Sequence, residues 1–288
     1  MTRFAVTQNL EKIVVDVDAR IPLAFARLLR IDHLDVNARA EVPLDKVTLE
    51  VALVLDNTGS MGSASKLVYL KQAANQLITK LENATVVNFT SYVALVPFTT
   101  QVRLFEGDLW TAIPGVRLNH TKDAAEPALQ VALPWRGCIA DRDQPNDAQG
   151  FEASDGVPLN TGAPGTLLPA VRCEREGLRP LVPLTRDFTT LHARVNAMVA
   201  DGDTNGTVGL SAGLALLTPD LGAGLVTGAR PPARLIRKHM IFLTDGDNTK
   251  NRWIADPAQK AQVDQRTGQI CTEIKQSSLN ITLTRSTW

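Results

Sequence analysis

The sequence predicts an α/β fold: a doubly wound, mostly parallel sheet with helices on both faces, interrupted by a long irregular insertion. Three observations predict it. Leu49–Leu55 (LEVALVL) and the segment from Lys238 to Thr244 (KHMIFLT) are strongly apolar runs, the pattern of strands covered on both faces. Both runs end abruptly in Asp and then Gly-containing loops, and helical periodicity follows each loop. Strands alternating with helices in this way argue for crossover units and a parallel sheet.

Taken in order, residues 12–19 (KIVVDVDA) alternate apolar and polar, as a half-buried strand does. IPLAFARLLR, from Ile21, reads as a short helix, and DHLDVNARAEV alternates again. Residues 1–48 therefore read as a strand–helix–strand lead-in that packs on a domain spanning 49–288. After the strand at Leu49–Leu55, Leu67, Leu70, Ala74, Leu77 and Leu81 recur at helical spacing, predicting an amphipathic helix. Tyr92–Phe98 (YVALVPF) is a further apolar strand. From 99 to 186 Pro, Gly, Asp and Asn accumulate and helical periodicity fades. This is read as an insertion with short elements of its own, since Leu, Val and Trp still punctuate it. Leu191, Val195, Met198 and Val199 then mark a helix face, and GDTNGTVGLSAGLALL is a loop running into a small-residue helix. After the strand ending at Thr244, residues 257–276 are helical and 280–284 (NITLT) form a closing strand.

Composition excludes several classes. Of 288 residues, 44% are hydrophobic and 21% charged, ordinary for a globular protein. Lys plus Arg and Asp plus Glu are balanced at 30 each, so no global field favours nucleic acid or an anionic membrane. No apolar stretch reaches the ~18 residues of a transmembrane helix. The start, MTRFAVTQNLEK, lacks the apolar core of a signal peptide, and read alone it implies a cytoplasmic protein. Three cysteines, Cys138, Cys173 and Cys271, fit no zinc spacing. Cys138 and Cys173 both fall in the insertion, where either a crosslink or two free thiols suits the residues; Cys271 lies on a helix and reads as a packed thiol.

The chemistry-bearing residues gather at strand ends. Asp56 follows VALVL, and Asp245 follows MIFLT. In open α/β sheets ligands bind outside the carboxyl ends of the strands, so both carboxylates belong to one rim. In Asp56-Asn57-Thr58-Gly59-Ser60, alternate spacing lets a tight loop turn three oxygen-bearing side chains to one point. The loop GDTN adds Thr204, with Thr207 as a competing candidate. Each hydroxyl taken singly could cap a helix, and Asp245 could start a turn. Taken together, two carboxylates and three hydroxyls form a hard, all-oxygen set. Such a set suits octahedral Mg²⁺, with Mn²⁺ or Ca²⁺ as substitutes, and disfavours soft metals.

VLDNTGSM, then GDTN followed by Gly209-Leu210, then FLTDGDN, resembles the von Willebrand factor A domain with its metal-ion-dependent adhesion site, a Rossmann-like fold. The usual D-x-S-x-S is here D-x-T-x-S, which keeps the hydroxyl at Thr58. The resemblance implies direct metal binding by Thr58, Ser60 and Thr204, and direct or water-mediated binding by Asp56 and Asp245. Thr204 is preferred to Thr207 for its position ahead of Gly209-Leu210. Flanking text (ARAEVPLDKVTLEVALVLDNTGSM, VALVPF, WRGCIADR, LTRDFTTL, DGDTNGTVGLSAGL) is similar to TadG-like proteins of the tight-adherence (Flp) pilus assembly system. That resemblance covers the insertion and implies a Cys138–Cys173 disulfide. It also implies an envelope or cell-surface location, membrane-anchored relatives and pilus or envelope components as partners.

The function this implies is non-enzymatic: a partner's Asp or Glu carboxylate completes the metal's coordination. No general base or nucleophile–base pair accompanies the set. One alternative is a scaffold of the pilus machinery with a vestigial metal site. Another is a phosphotransferase resembling the haloacid-dehalogenase type, with Asp56 as nucleophile and Asp245 or Asp247 holding Mg²⁺. The relatives' N-terminal membrane helix has no counterpart here, and LNITLTRSTW ends where relatives continue, so a fragment, a truncated gene product or a cytoplasmically stranded remnant is expected. The insertion is expected beside the metal rim.

Overall fold

The computed structural model describes residues 2–8, 12–22, 33–43, 47–87, 89–109, 113, 115–120, 129–130, 134–151, 163–219 and 228–287. At the start of the chain, β1 (Thr2–Gln8), β2 (Lys12–Pro22) and β3 (His33–Pro43) form a three-stranded antiparallel sheet in that order. The sequence reading missed β1, whose polar ends give only a short alternation. The helix expected from Ile21 is corrected at its start: Ile21 and Pro22 continue β2 and pair with Leu34 and His33. The rest of that expected helix, 23–30, lies outside the described residues.

The main sheet is built around β4 (Val47–Asp56), which pairs in parallel with β5 (Phe89–Phe98) on one side. On its other side β4 pairs in parallel with β13 (Ile236–Thr244), and β13 with β14 (Ile281–Thr287). The chain leaves β4 through α1 (Lys66–Val87) to reach β5, and leaves β13 through α4 (Lys260–Gln276) to reach β14. The two crossovers run in opposite directions from the β4–β13 seam. That seam is the topological switch point, the place where open α/β sheets bind ligands at the carboxyl ends of their strands.

Strict alternation along β4 and β5 explains why both faces are covered. Val51, Leu53, Leu55, Val93 and Leu95 pack with α1 residues Leu70, Ala74 and Ile78, and with α2 (Phe188–Asn196) residues Leu191 and Val195. Ala52, Val54, Ala94, Val96 and Phe98 face the other way, toward α3 (Gly206–Leu217) and Ile270 and Ile274 of α4. All twelve residues of α3 are buried, so this helix is covered on every side and has no polar face to show. Its glycines allow the approach. A Cβ on Gly209 would sit 2.6 Å from the Phe98 ring, and one on Gly213 2.6 Å from Val54 Cγ2.

The segment 99–186 is less separate than its composition suggests. After a tight turn at 99–101, β6 (Val102–Arg103) pairs antiparallel with the end of β5, and β12 (Val182–Thr185) pairs antiparallel lower on the same edge. Between them run β7 (Val116–Arg117), β8 (Asn119–His120), β9 (Leu129–Gln130), β10 (Cys138–Ile139) and β11 (Leu168–Pro169). β10 joins β6, so the insertion widens the main sheet and contributes to the same core through Trp135, Ile139 and Phe151. Strands of two to four residues carry too little periodicity to be read from sequence. The expected bridge is present: Cys138 and Cys173 are disulfide-bonded. Cys271 is partly buried against the core, and burial pushes its thiol pKa up.

At the opposite end of the strands from the rim, Glu50 of β4 is wholly buried. Lys238 Nζ donates to its Oε2 at 2.5 Å, and Arg230 donates to its Oε1 from both main chain and guanidinium. Lys238 also donates to Leu217 O, fastening the end of α3. A buried charge is tolerable only when paired in this way.

Candidate metal centre

Asp56 is the last residue of β4 and fully buried. Burial pushes its carboxyl pKa up, and the nearby charge of Asp245 adds to the rise. Hydrogen bonds from Thr58 and Thr244 work against both effects. Thr58 donates to Asp56 Oδ1 through its amide at 2.8 Å and its hydroxyl at 2.6 Å. The Thr58 hydroxyl lies 3.1 Å from Ser60 Oγ. The three side chains of the D-x-T-x-S stretch thus form one connected oxygen cluster. Thr58 makes no side-chain capping bond to the 3-10 turn that follows, so capping is not what occupies its hydroxyl.

Asp245 follows the end of β13, and its side chain is almost wholly buried. Its Oδ2 accepts from Lys66 Nζ at 3.2 Å, and its Oδ1 is buried without a hydrogen-bond partner. A buried carboxylate oxygen left unpaired is costly, and it is the kind of group a cation satisfies.

The Thr204 loop is drawn to the same rim by main-chain bonds. Gly59 N donates to Gly202 O at 2.8 Å, and Asp201 N donates to Asn57 O at 2.9 Å. Asn57 Nδ2 adds a bond to Val199 O. A Cβ on Gly59 would come within 3.3 Å of Gly202 O, so this position suits a residue without one. Thr204 is buried, and its main chain is tied to Thr249 in the loop after β13: its amide donates to Thr249 Oγ1, and its carbonyl accepts from Thr249 N, each at 2.9 Å. These bonds leave its hydroxyl uncommitted. The cap of α3 is Asn205, which accepts from Thr207 N. Thr207 is turned inward, its hydroxyl 2.9 Å from that of Thr267 on α4.

Sequence reasoning missed four residues that shape this rim. Thr244 donates to Asp56 Oδ2 at 2.7 Å and receives Gly246 N. Lys66 opens α1 and donates to Asp245 Oδ2. Asn248 accepts from Gly206 N at the start of α3 and donates to Asp264 and Thr267 of α4. Asp141, from the insertion, accepts from Asn205 Nδ2 at 2.7 Å and from Arg252 N at 3.2 Å. Burial and then the charge of Asp147 push the Asp141 carboxyl pKa up to about 6.

The insertion reaches the rim in a second place, directly after the disulfide. Glu174 accepts from Thr100 Oγ1 at 2.9 Å, and Arg175 Nη1 lies 3.6 Å from Asp201 Oδ1. Lys250 Nζ bridges Glu174 and Asp203, at 3.8 and 2.9 Å. The bridged segment therefore lies against the loop that carries Thr204.

No family model matches the chain. No curated protein matches it either. Among solved structures, it is similar to the vWF domain of the type V pili tip protein Mfa5 from Porphyromonas gingivalis, at 12% identity and TM-score 0.38, covering 72% of this chain and 40% of that one. It is similar to the pilus adhesin SpaC from Lactobacillus rhamnosus GG in its open conformation, at 15% identity and TM-score 0.34, covering 86% and 19%. It is also similar to the adhesive tip pilin GBS104 from Group B Streptococcus agalactiae, at 14% identity and TM-score 0.33, covering 70% and 46%. The chain spans less than half the length of each. At these scores the likeness is one of partial shape, and the reading of the rim rests on its own side chains.

The donor set fits a hard divalent cation. Among the described residues no group of three or more His, Cys, Asp and Glu has metal-holding geometry, so such a site depends on hydroxyls beside its two carboxylates. Asp56, Thr58, Ser60, Thr204 and Asp245 supply oxygen only, and among them Asp245 Oδ1 is buried without a hydrogen-bond partner.

Proposed function

We propose that the chain is a non-enzymatic protein-binding module whose adhesion depends on a divalent cation, Mg²⁺ foremost, held at the rim by Asp56, Thr58, Ser60, Thr204 and Asp245. The observation that carries this reading is the convergence of three loops on two buried carboxylates, one of which keeps an unpaired buried oxygen. When bound, the cation supplies an open coordination position for a partner's Asp or Glu carboxylate. The protein's own part is to orient and to exclude water. Thr58 and Thr244 fix the Asp56 carboxylate, Asn57 and Gly59 seat the Thr204 loop, and Thr249 ties that loop to the segment after Asp245.

The motifs that resemble TadG-like proteins support a role in pilus assembly, with pilus or envelope components as partners. The closed Cys138–Cys173 bridge supports an oxidising compartment such as the bacterial envelope, because cytosolic thiols are held reduced. No helix among the described residues is long and apolar enough to cross a membrane.

Thermal unfolding tests the cation directly. A ligand that binds the folded state alone stabilises it by about 2.7 kcal/mol at a hundred times its Kd. Millimolar Mg²⁺ or Mn²⁺ is expected to raise the melting temperature of the wild type and to leave that of Asp56→Ala unmoved. Absence of a shift in both, or an equal shift in both, defeats the proposal. A pull-down from envelope extract with and without EDTA then reads partner binding. Capture that ignores both EDTA and Asp56→Ala supports the scaffold role instead.

A further inference from the structure

Lys66 is the first residue of α1, and its ammonium reaches the one candidate carboxylate that is not satisfied by hydroxyls. Nζ lies 3.2 Å from Asp245 Oδ2; the Lys66 side chain is 30% exposed and that of Asp245 is 3% exposed. The pair joins two of the three loops across 179 residues of chain.

The route by which Lys66 gets there is unusual. The loop that leaves Ser60 passes through Ala64 and Ser65, both in the left-handed region at φ 49° and 59°. Neither is glycine, and side-chain-bearing residues rarely adopt this conformation in succession. The strained pair turns the chain so that α1 starts over the rim with Lys66 pointing at Asp245.

We infer that Lys66 is a built-in counter-cation of the rim, occupying Asp245 in the ion-free protein and holding down the affinity of the site for divalent metal. The inference rests on the cation reading proposed above. A single positive charge at Asp245 Oδ2 satisfies half of that carboxylate and leaves Oδ1 open. A divalent ion on Oδ1 then has the ammonium as a close like-charged neighbour, so Lys66 must swing outward or the ion binds against its repulsion. Its partial exposure leaves it room to swing. In this account Lys66, rather than any of the donor oxygens, sets the cation concentration at which the site fills.

Lys66→Met removes the ammonium and keeps the apolar stem, and Lys66→Arg keeps the charge. Titration of the purified chain with Mn²⁺, followed by calorimetry and by the electron paramagnetic resonance of free Mn²⁺, reads affinity without any partner. Lys66→Met is expected to bind Mn²⁺ about tenfold tighter or more, and Lys66→Arg to stay near wild type. Lys66→Gln serves as a second neutral variant should Lys66→Met fail to fold, with the same expectation. Binding by the wild type with equal or weaker affinity in the neutral variants overturns this inference and leaves the cation reading standing. No binding by wild type or neutral variants overturns both. Binding by the neutral variants alone supports Lys66 as the block and, like an unmoved wild-type melting temperature, defeats cation-dependent adhesion by the wild type.

Discussion

Thr244 Oγ1 donates to Asp56 Oδ2 at 2.7 Å, joining residues 188 apart in the chain. The bond exists because β13 lies beside β4 in parallel register, with Leu243 opposite Leu55, so the two strands run out together at the rim. Thr58 holds one oxygen of the carboxylate and Thr244 the other.

Thr244→Val keeps the shape of the side chain and removes the donor. Asp56 Oδ2 then loses its hydroxyl in a buried place, which costs about 1–3 kcal/mol. Urea denaturation in metal-free buffer should show that loss. Added Mg²⁺ should recover part of it, since a bound cation meets the need that the lost hydroxyl met.

Asp141 makes stability depend on pH in a direction opposite to that of a salt-bridged carboxylate. Its folded pKa is raised from 3.8 to about 6, so the folded state holds the proton more tightly than the unfolded chain. The contribution is fully present below about pH 4 and is lost as pH rises through about 6. Asp141→Asn should therefore flatten the stability profile between those limits. At pH 7 it should be more stable than wild type by on the order of 1–3 kcal/mol. Denaturation midpoints measured across that range decide it, and an unchanged slope refutes the assignment.

Reducing the Cys138–Cys173 bridge releases a loop with a sequence separation of 35 residues. The expected cost is about 2–4 kcal/mol, from the freedom returned to the unfolded chain. Because Glu174 and Arg175 follow the bridge directly and contact Thr100 and Asp201, amides of residues 199–204 should exchange faster with solvent in the reduced protein. Hydrogen exchange with and without reductant checks this, using a Cys138→Ala/Cys173→Ala variant as control.

The strands that carry the rim were legible because each is covered on both faces and so writes a continuous apolar run. The D-x-T-x-S loop was legible because its oxygens are neighbours in the chain. Helices α1 and α4 were legible from one-sided periodicity. What escaped depends on pairings across the fold. Thr244 looks like the end of a strand until β13 is placed beside β4, and Lys66 looks like a solvated helix residue until Asp245 is placed beneath it. Asp141 sits in a stretch whose two-residue strands leave no period to read. It matters only because the fold brings Asn205 and Arg252 to it.

β4 ends in Asp56 and is flanked by a parallel strand on each side, paired with β5 from Val47 to Asp56 and with β13 from Thr48 to Leu55. A partner held at the rim and pulled away loads this strand along its own axis. The ladders on both sides then bear the force together, in shear, rather than opening one bond at a time. An attachment point at the end of the central strand would thus be anchored where the sheet is mechanically strongest, which suits the adhesion proposed above.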